Sequence, residues 1–382
     1  MDFELSETQR AIAEASRAFA EKRVAPAAAD NDRQGRFPLE LVRELGSLGL
    51  LAVNVPAAYG GSEAGAVASA LAIMEIAAAD CSLAVTMAVT NMVAETIARL
   101  GTEAQKERCL PRLASAEWTA GSFALSEPHS GSDAGAMRTR AERRGSGWVL
   151  NGSKQWITSG DRAGVFIVWA RTGDERDRGL SAFLVEAGTK GLGVGRHEEK
   201  MGIRASSTVA LSFEDCEVPG EALLGREGLG FQIAMSALDG GRIGIAAQAT
   251  GTMRAALDAS VRYARDRRAF GEAISAFQAV SFALADMRTA HDAARLMTLR
   301  AAMLKEAGRP FGKEAAMAKL FASEAAQSAV SKAVQIHGGY GYVDAFPVER
   351  LFRDARVQTL YEGTSEIQRL VIARDLLSHG NA

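Results

Sequence analysis

The chain is poor in the residues that build covalent or metallic staples. Three cysteines, Cys81, Cys109 and Cys216, are spread over 382 residues. They lie too far apart for a thiolate metal centre, and an odd, sparse set is no disulfide framework. The pattern fits a soluble protein of the reducing cytoplasm. The five histidines, at positions 129, 197, 291, 337 and 379, include no pair at ligand spacing on one helix and no cysteine neighbour, so no metal site is expected. Neither sign of charge dominates. With 44 basic against 46 acidic residues and a pI near 6.3, the chain has no footing for nucleic acid or an anionic membrane surface. The longest apolar run, residues 64–74, falls far short of a membrane span, so no membrane partner is expected. The opening MDFELSETQR is acidic where a secretion signal is basic and then apolar. A P-loop and a nucleophile elbow are absent, and the glycines at 191, 193 and 195 or at 225, 228 and 230 lack dinucleotide spacing. Any chemistry therefore falls to carboxylates, to an organic cofactor, or to both.

What is present suffices for a large core: 47% of the residues are hydrophobic and 24% charged. Residues 1–120 read as an N-terminal helical domain. Leu5, Ile12, Ala15 and Phe19 keep a helical period behind Ser6–Gln9, which has capping-box spacing. Pro38 stands where a helix would start before Leu41, Val42 and Leu45. The alanine-rich stretch from Ala64 to Leu100 has almost no polar face and must lie inside a bundle. Residues 121–226 change to period 2 and turn residues. Trp148–Leu150, Asn151-Gly152 and Gln155–Ile157 read as two strands joined by a tight turn, since Asn-Gly tolerates positive φ. Further β-rich runs at 164–170, 180–185 and 208–213 complete a compact β domain, expected as a barrel. From 227 to 382 the spacing is helical again, without proline between Pro219 and Pro310, which suits a C-terminal four-helix bundle. The fold class is mainly α with a middle β domain.

Three stretches stand out for chemistry. LSEPHSGSDAG at 125–135, between a helix and the β domain, is rich in hydroxyls and glycine, suited to wrapping a polar ring or a phosphate; a plain interdomain turn has the same composition. Trp156-Ile157-Thr158-Ser159 ends a strand, where an indole either covers a flat cofactor or fills core. YEGTSE at 361–366 puts Glu362 just before a helix, either as a favourable N-terminal acid or as a general base in a partly dry site.

Read together, LSEPHSGSD at 125–133, NGSKQWITSG at 151–160, KMGIRASST at 200–208 and FEDCEVP at 213–219 resemble the acyl-CoA dehydrogenase family. So do GRIGIAAQATG at 241–251, DRRAFG at 266–271, QIHGGYGY at 335–342 and YEGTSEIQR at 361–369, in the family's order over nearly the whole chain and closest to its short-chain members. The resemblance implies FAD between the β domain and the bundle of a homotetramer built as a dimer of dimers. It assigns the flavin ring to the loop Phe123–Ser132, including Leu125, Ser126, Gly131 and Ser132, and to Trp156, Ile157 and Thr158. Arg267, Phe270 and Gln278, with Gln335, Ile336, Gly338 and Gly339 from a partner chain, would grip the diphosphate and adenosine, and Thr364 and Glu366 would complete the site. Ser132, Asp239, Arg242 and Gly363 would contact the acyl-CoA; Arg242 alone also reads as a surface helix charge.

The chemistry so implied is α,β-dehydrogenation of a short- or medium-chain acyl-CoA, straight or branched. A carboxylate takes the α-proton while fixed donors, the backbone N–H of Glu362 and a ribityl hydroxyl, stabilise the enolate, and the β-hydride goes to flavin N5. Family members acting on isovaleryl or long chains carry the base just before the arginine of the GRIG block. That position is Gly241 here, which leaves Glu362. His129 stands where glycine is common, and Ala269 replaces a residue that is often hydroxylated. Electron-transfer flavoprotein is the implied electron acceptor. An oxidase using dioxygen is the alternative, although such relatives are usually much longer. A non-catalytic scaffold is opposed by the intact Glu362, Trp156 and Arg267.

Overall fold

The computed structural model describes residues 4–378. Helix α1 (Glu7–Phe19) opens with the reciprocal cap its sequence announces. The Ser6 hydroxyl accepts from the Gln9 N–H at 3.2 Å and the Gln9 side chain accepts from the Ser6 N–H at 3.0 Å. After α2 (Ala25–Gln34) and α3 (Leu39–Ser47), which Pro38 caps, come the alanine-rich helices α4 (Gly65–Ala79) and α5 (Cys81–Leu100). Asp80 breaks the run between them, its carboxylate accepting from the Ser82 N–H at 2.7 Å. By length and composition α5 could cross a bilayer, but 83% of its apolar window is buried within the protein, the surroundings of a core helix. Helix α6 (Glu103–Ala114) completes this part.

The β region is one eight-stranded sheet: β1 (Ala120–Ala124), β2 (Arg140–Arg144), β3 (Gly147–Thr158), β4 (Ala163–Arg171), β5 (Leu180–Glu186), β6 (Leu192–His197), β7 (Thr208–Val218) and β8 (Leu223–Leu224). Its order is β6-β7-β3-β2-β4-β5-β8, with β1 added parallel to β4. Strand β4 is buried on both faces. Val165, Ile167 and Trp169 pack towards α5 and α6, and Phe166 and Val168 pack against Leu150, Phe183 and Phe213.

Two stretches depart from what their local sequence predicts. Asn151-Gly152 is no hairpin turn but the middle of a continuous β3. The Asn151 side chain donates to the Asp215 carboxylate at 3.2 Å and accepts from the Asp215 N–H at 2.8 Å across the sheet. Gly152, at φ +147°, sits at a register shift where a Cβ would lie 2.7 Å from the Thr139 backbone, so glycine is there for a bulge and a close approach. The turn that joins β2 to β3 lies earlier, at Gly145, with φ +59°. The loop from Leu125 leaves a strand, β1, rather than a helix.

Helix α7 (Gly230–Asp266), 37 residues long, follows. With α8 (Gln278–Glu306), α9 (Gly312–His337) and α11 (Ser365–Ser378) it forms the bundle, and α10 (Pro347–Ala355) packs across α7 and α9. Small residues line the contacts: Ala246, Ala249, Ala256, Ala318, Ala322 and Ala326 are all buried, so the helix axes approach closely.

Candidate active site

Helices α5 and α7 lie antiparallel, with Cys81 at the start of α5 beside Thr252 and Met92 beside Gly241. Between them, α4 and the turn after α8 lies a cavity of about 360 Å³. Ala70, Ile73, Val89, Met92 and Ile245 make much of its wall apolar, and Glu95, Lys305 and Arg309 also line it. Glu362 reaches into it from the turn before α11.

That turn is held in left-handed backbone, with φ +53° at Glu362 and +85° at Gly363. For a glutamate this conformation costs about 1 to 2 kcal/mol and persists only where the surroundings impose it. The Glu362 Oε2 is buried and has no hydrogen-bond partner among the described residues. Burial pushes its proton affinity up from the ordinary 4.5 to about 7, against the pull of the Arg242 and Lys319 cations. Gly241 makes the room: a Cβ there would lie 2.6 Å from Oε2 and 2.9 Å from the Met92 sulfur. Arg242 is no surface charge. It is 4% exposed and bonded to the Asp239 carboxylate, whose own affinity for a proton is raised by burial.

The candidate ring-binding residues come from β1, the loop after it and the end of β3; none is among the residues lining the cavity, and Phe123 packs against two that are, Val89 and Met92. Phe123 packs in one cluster with Val89, Met92 and Tyr361, its ring 4.2 Å from that of Trp169. Leu125 is buried and Ser126 half-buried, while Gly131 and Ser132 are exposed on the loop. Trp156 is 61% exposed, at φ +64°, because a register shift between Lys154 and Ile157 turns it out of the sheet. It is therefore not core. The Ile157 side chain is core, and the Thr158 carbonyl accepts from the Ser122 hydroxyl at 2.7 Å.

The second group gathers elsewhere. Arg267 ends α7, 26 residues past Gly241, which at 1.5 Å per residue is roughly 39 Å along the helix. Its guanidinium lies 5.6 Å from the Tyr340 ring, and Arg267, Ile336, Gly338 and Gly339 border an open recess of about 470 Å³. A Cβ on Gly338 or Gly339 would meet nothing within 4 Å, which leaves a bare backbone cradle beside a cation, chemistry suited to a diphosphate. Phe270 is 96% exposed at φ +52°, and Gln278 and Gln335 are exposed. Thr364 caps α11, its hydroxyl accepting from the Ile367 N–H at 3.4 Å, and Glu366 is exposed on its first turn. His129 lies 3.5 Å from the Glu127 carboxylate, and Ala269 pairs with Glu272 in a short ribbon. Among the described residues no three His, Cys, Asp or Glu side chains gather as metal ligands; His379 lies outside them.

Two lysines escaped the sequence reading. Lys154 is fully buried, with Nζ 2.8 Å from the Glu127 carboxylate and 3.1 Å from the Leu125 carbonyl. Burial lowers its proton affinity to about 8. Glu127 also accepts from the N–H groups of Arg138 and Thr139, at 2.6 and 2.9 Å, so one ion pair clamps both ends of the 125–139 loop to β3. Lys319, also fully buried, donates to the Gly363 carbonyl at 2.7 Å. Spacing gives no hint of either contact.

Three family models together match most of the chain: the acyl-CoA dehydrogenase N-terminal domain over residues 6–117, the middle domain over 122–216 and the C-terminal domain over 228–377. The mitochondrial short-chain specific acyl-CoA dehydrogenase of Mus musculus is 50% identical over 376 residues, 98% of this chain and 91% of that protein. Among solved structures, butyryl-CoA dehydrogenase from Megasphaera elsdenii superposes with a TM-score of 0.97 at 42% identity, covering 99% of this chain and all of the other. A chain from a structure described as the electron transferring flavoprotein of Acidaminococcus fermentans matches equally well, at 0.97 and 43% identity, with 99% and 100% coverage.

Proposed function

Because the chain belongs to the acyl-CoA dehydrogenase family, a flavoprotein oxidoreductase with FAD as cofactor, we propose that it dehydrogenates a short- or medium-chain acyl-CoA, straight or branched, with Glu362 as the base. The observation that carries this reading is the buried, unpartnered Glu362 Oε2 over Gly241, facing a cavity whose wall is largely apolar. A C–H next to a thioester carbonyl is a weak acid. A desolvated carboxylate with an affinity near 7 is a far better match for it than an exposed one at 4.5. The apolar wall excludes water and strengthens any hydrogen bond to the developing enolate oxygen, for which the Glu362 N–H is the donor on this chain. Asp239 and Arg242, locked together on α7 to either side of Gly241, orient the thioester arm with Ser132 and Gly363.

Phe123, Leu125, Ser126, Gly131, Ser132, Trp156, Ile157 and Thr158 would hold the isoalloxazine, and the exposed indole and the clamped loop suit that task. FAD, when bound, supplies the hydride acceptor that no side chain provides. Arg267 and the glycines 338 and 339, expected from two different chains, border one recess of the same chain, so Arg267, Phe270, Gln278, Gln335, Ile336, Gly338 and Gly339 would together serve the diphosphate and adenosine of a neighbouring subunit, roughly 39 Å of helix separating Arg267 from Gly241. On this reading the enzyme is a homotetramer, and Thr364 and Glu366 complete the shared site. Electron-transfer flavoprotein is the proposed acceptor, supported by the description of the solved neighbour. Purified enzyme should be yellow, lose that colour without air when mixed with one acyl-CoA of an acetyl- to palmitoyl-CoA series, and yield the trans-2-enoyl thioester. Failure of every thioester to bleach it would reject the proposal, and rapid peroxide formation in air would mark an oxidase instead.

A further inference from the structure

The geometry assigns Lys319 to the reaction as a positioning residue: its ammonium pins the Gly363 carbonyl and so fixes the left-handed turn that aims the Glu362 carboxylate into the cavity. This rests on Glu362 being the base. Lys319 sits within α9, fully buried, and the Gly363 carbonyl at 2.7 Å is its hydrogen-bond acceptor; no carboxylate lies within ion-pair distance of it among the described residues. A buried ammonium held on a neutral carbonyl is a poor device for stability, since an apolar side chain of similar length would avoid the desolvation cost. Gln368, on α11, holds the same edge of the turn, donating to the Gly363 carbonyl at 2.8 Å and to the Glu362 carbonyl at 3.1 Å. Two helices thus grip the carbonyls at positions 362 and 363, which keeps the turn at φ +53° and +85°.

The lysine also acts through its charge. Besides Lys319, the charged groups around the carboxylate are Arg242 and Glu366, with Glu95, Arg99, Lys305 and Arg309 along the cavity wall. Arg242 on α7 is already committed to Asp239, Lys305 across the cavity is paired with Glu95, and Glu366 is exposed on α11. The Tyr361 hydroxyl is occupied by Gln248. After Arg242, Lys319 is the next source of positive potential on Glu362, and it favours the ionised base. Burial brings Lys319 itself down to about 8, so it keeps its proton at neutral pH.

Lys319→Met and Lys319→Gln, each prepared with FAD bound, test this. Methionine should cut the rate of flavin bleaching at saturating acyl-CoA by about tenfold or more at pH 7 with KM little changed. It should also move the acid limb of the pH profile up by about one unit, because a lost cation favours the neutral carboxyl. Glutamine, a donor without charge, should show the same limb shift but recover much of the rate above it. Wild-type rate and limb in both variants would overturn the assignment. So would a loss of rate with an unmoved limb, or a failure of both chains to fold, since each would make Lys319 a purely structural residue. The outcome is separable from the base itself: turnover retained by Glu362→Gln would reject the base, whatever position 319 does.

Discussion

Acidification is the most informative perturbation of this site, because the structure sets both its direction and its size. Burial raises Glu362 from 4.5 to about 7, with Arg242 and Lys319 pulling the other way. Only the ionised carboxylate accepts a proton, so kcat/KM, which reports the free enzyme, should fall tenfold for each unit below about pH 7. At about pH 5 the loss should reach roughly a hundredfold, where an exposed glutamate would still be mostly ionised. The folded affinity lies above the unfolded one, so the folded state holds the proton between 4.5 and about 7. Stability is therefore greatest below that window and is lost as pH rises through it. The full cost above it is roughly 3 kcal/mol, from 1.36 kcal/mol per unit. Glu362→Gln is spared that cost and should withstand urea better than wild type at about pH 8, with the difference vanishing near pH 4. The assay is kcat/KM with a short acyl-CoA across the pH range, beside urea titrations of both proteins. An acid limb at 4 to 5, or equal urea midpoints at alkaline pH, would refute a desolvated carboxylate.

Other substitutions probe the frame around it. Gly241→Ala places a methyl 2.6 Å from the Glu362 Oε2, so the carboxylate must move; the variant should stay yellow while bleaching at least about tenfold more slowly, as stopped-flow absorbance would record. Lys154→Met strands the Glu127 carboxylate, 3% exposed, and should cost about 3 to 5 kcal/mol in denaturant unfolding with weaker flavin retention. Adding Glu127→Gln should recover part of that loss, because the two positions form one interaction.

Local rules carried far where local forces decide. The Ser6–Gln9 cap, the burial of α4 and α5, and the proline-free bundle were legible because cap spacing and apolar periodicity act within a few residues. They failed where a distant strand decides. Asn151-Gly152 has the chemistry of a turn, yet Asp215 and Thr139 recruit it into a bulge. Strand β1, five residues of small side chains around Phe123, exists only because β4 offers it a parallel partner. At the site, Glu362 is legible as an acid at a helix start, and the family resemblance makes it the candidate base. Its burial, its backbone strain and the clearance over Gly241 depend on α5, α7 and α9 meeting there. The exposure of Trp156 follows from a register shift, and Lys154 and Lys319 find partners 27 and 44 residues away, beyond the reach of any spacing rule.

The claim on which all else depends is that one carboxylate starts the reaction. Anaerobic mixing of FAD-loaded Glu362→Gln with the acyl-CoA that bleaches the wild type fastest tests it most directly. The variant should be folded and yellow, bind the thioester and keep its flavin absorbance; bleaching at the wild-type rate would mean that another group takes the proton.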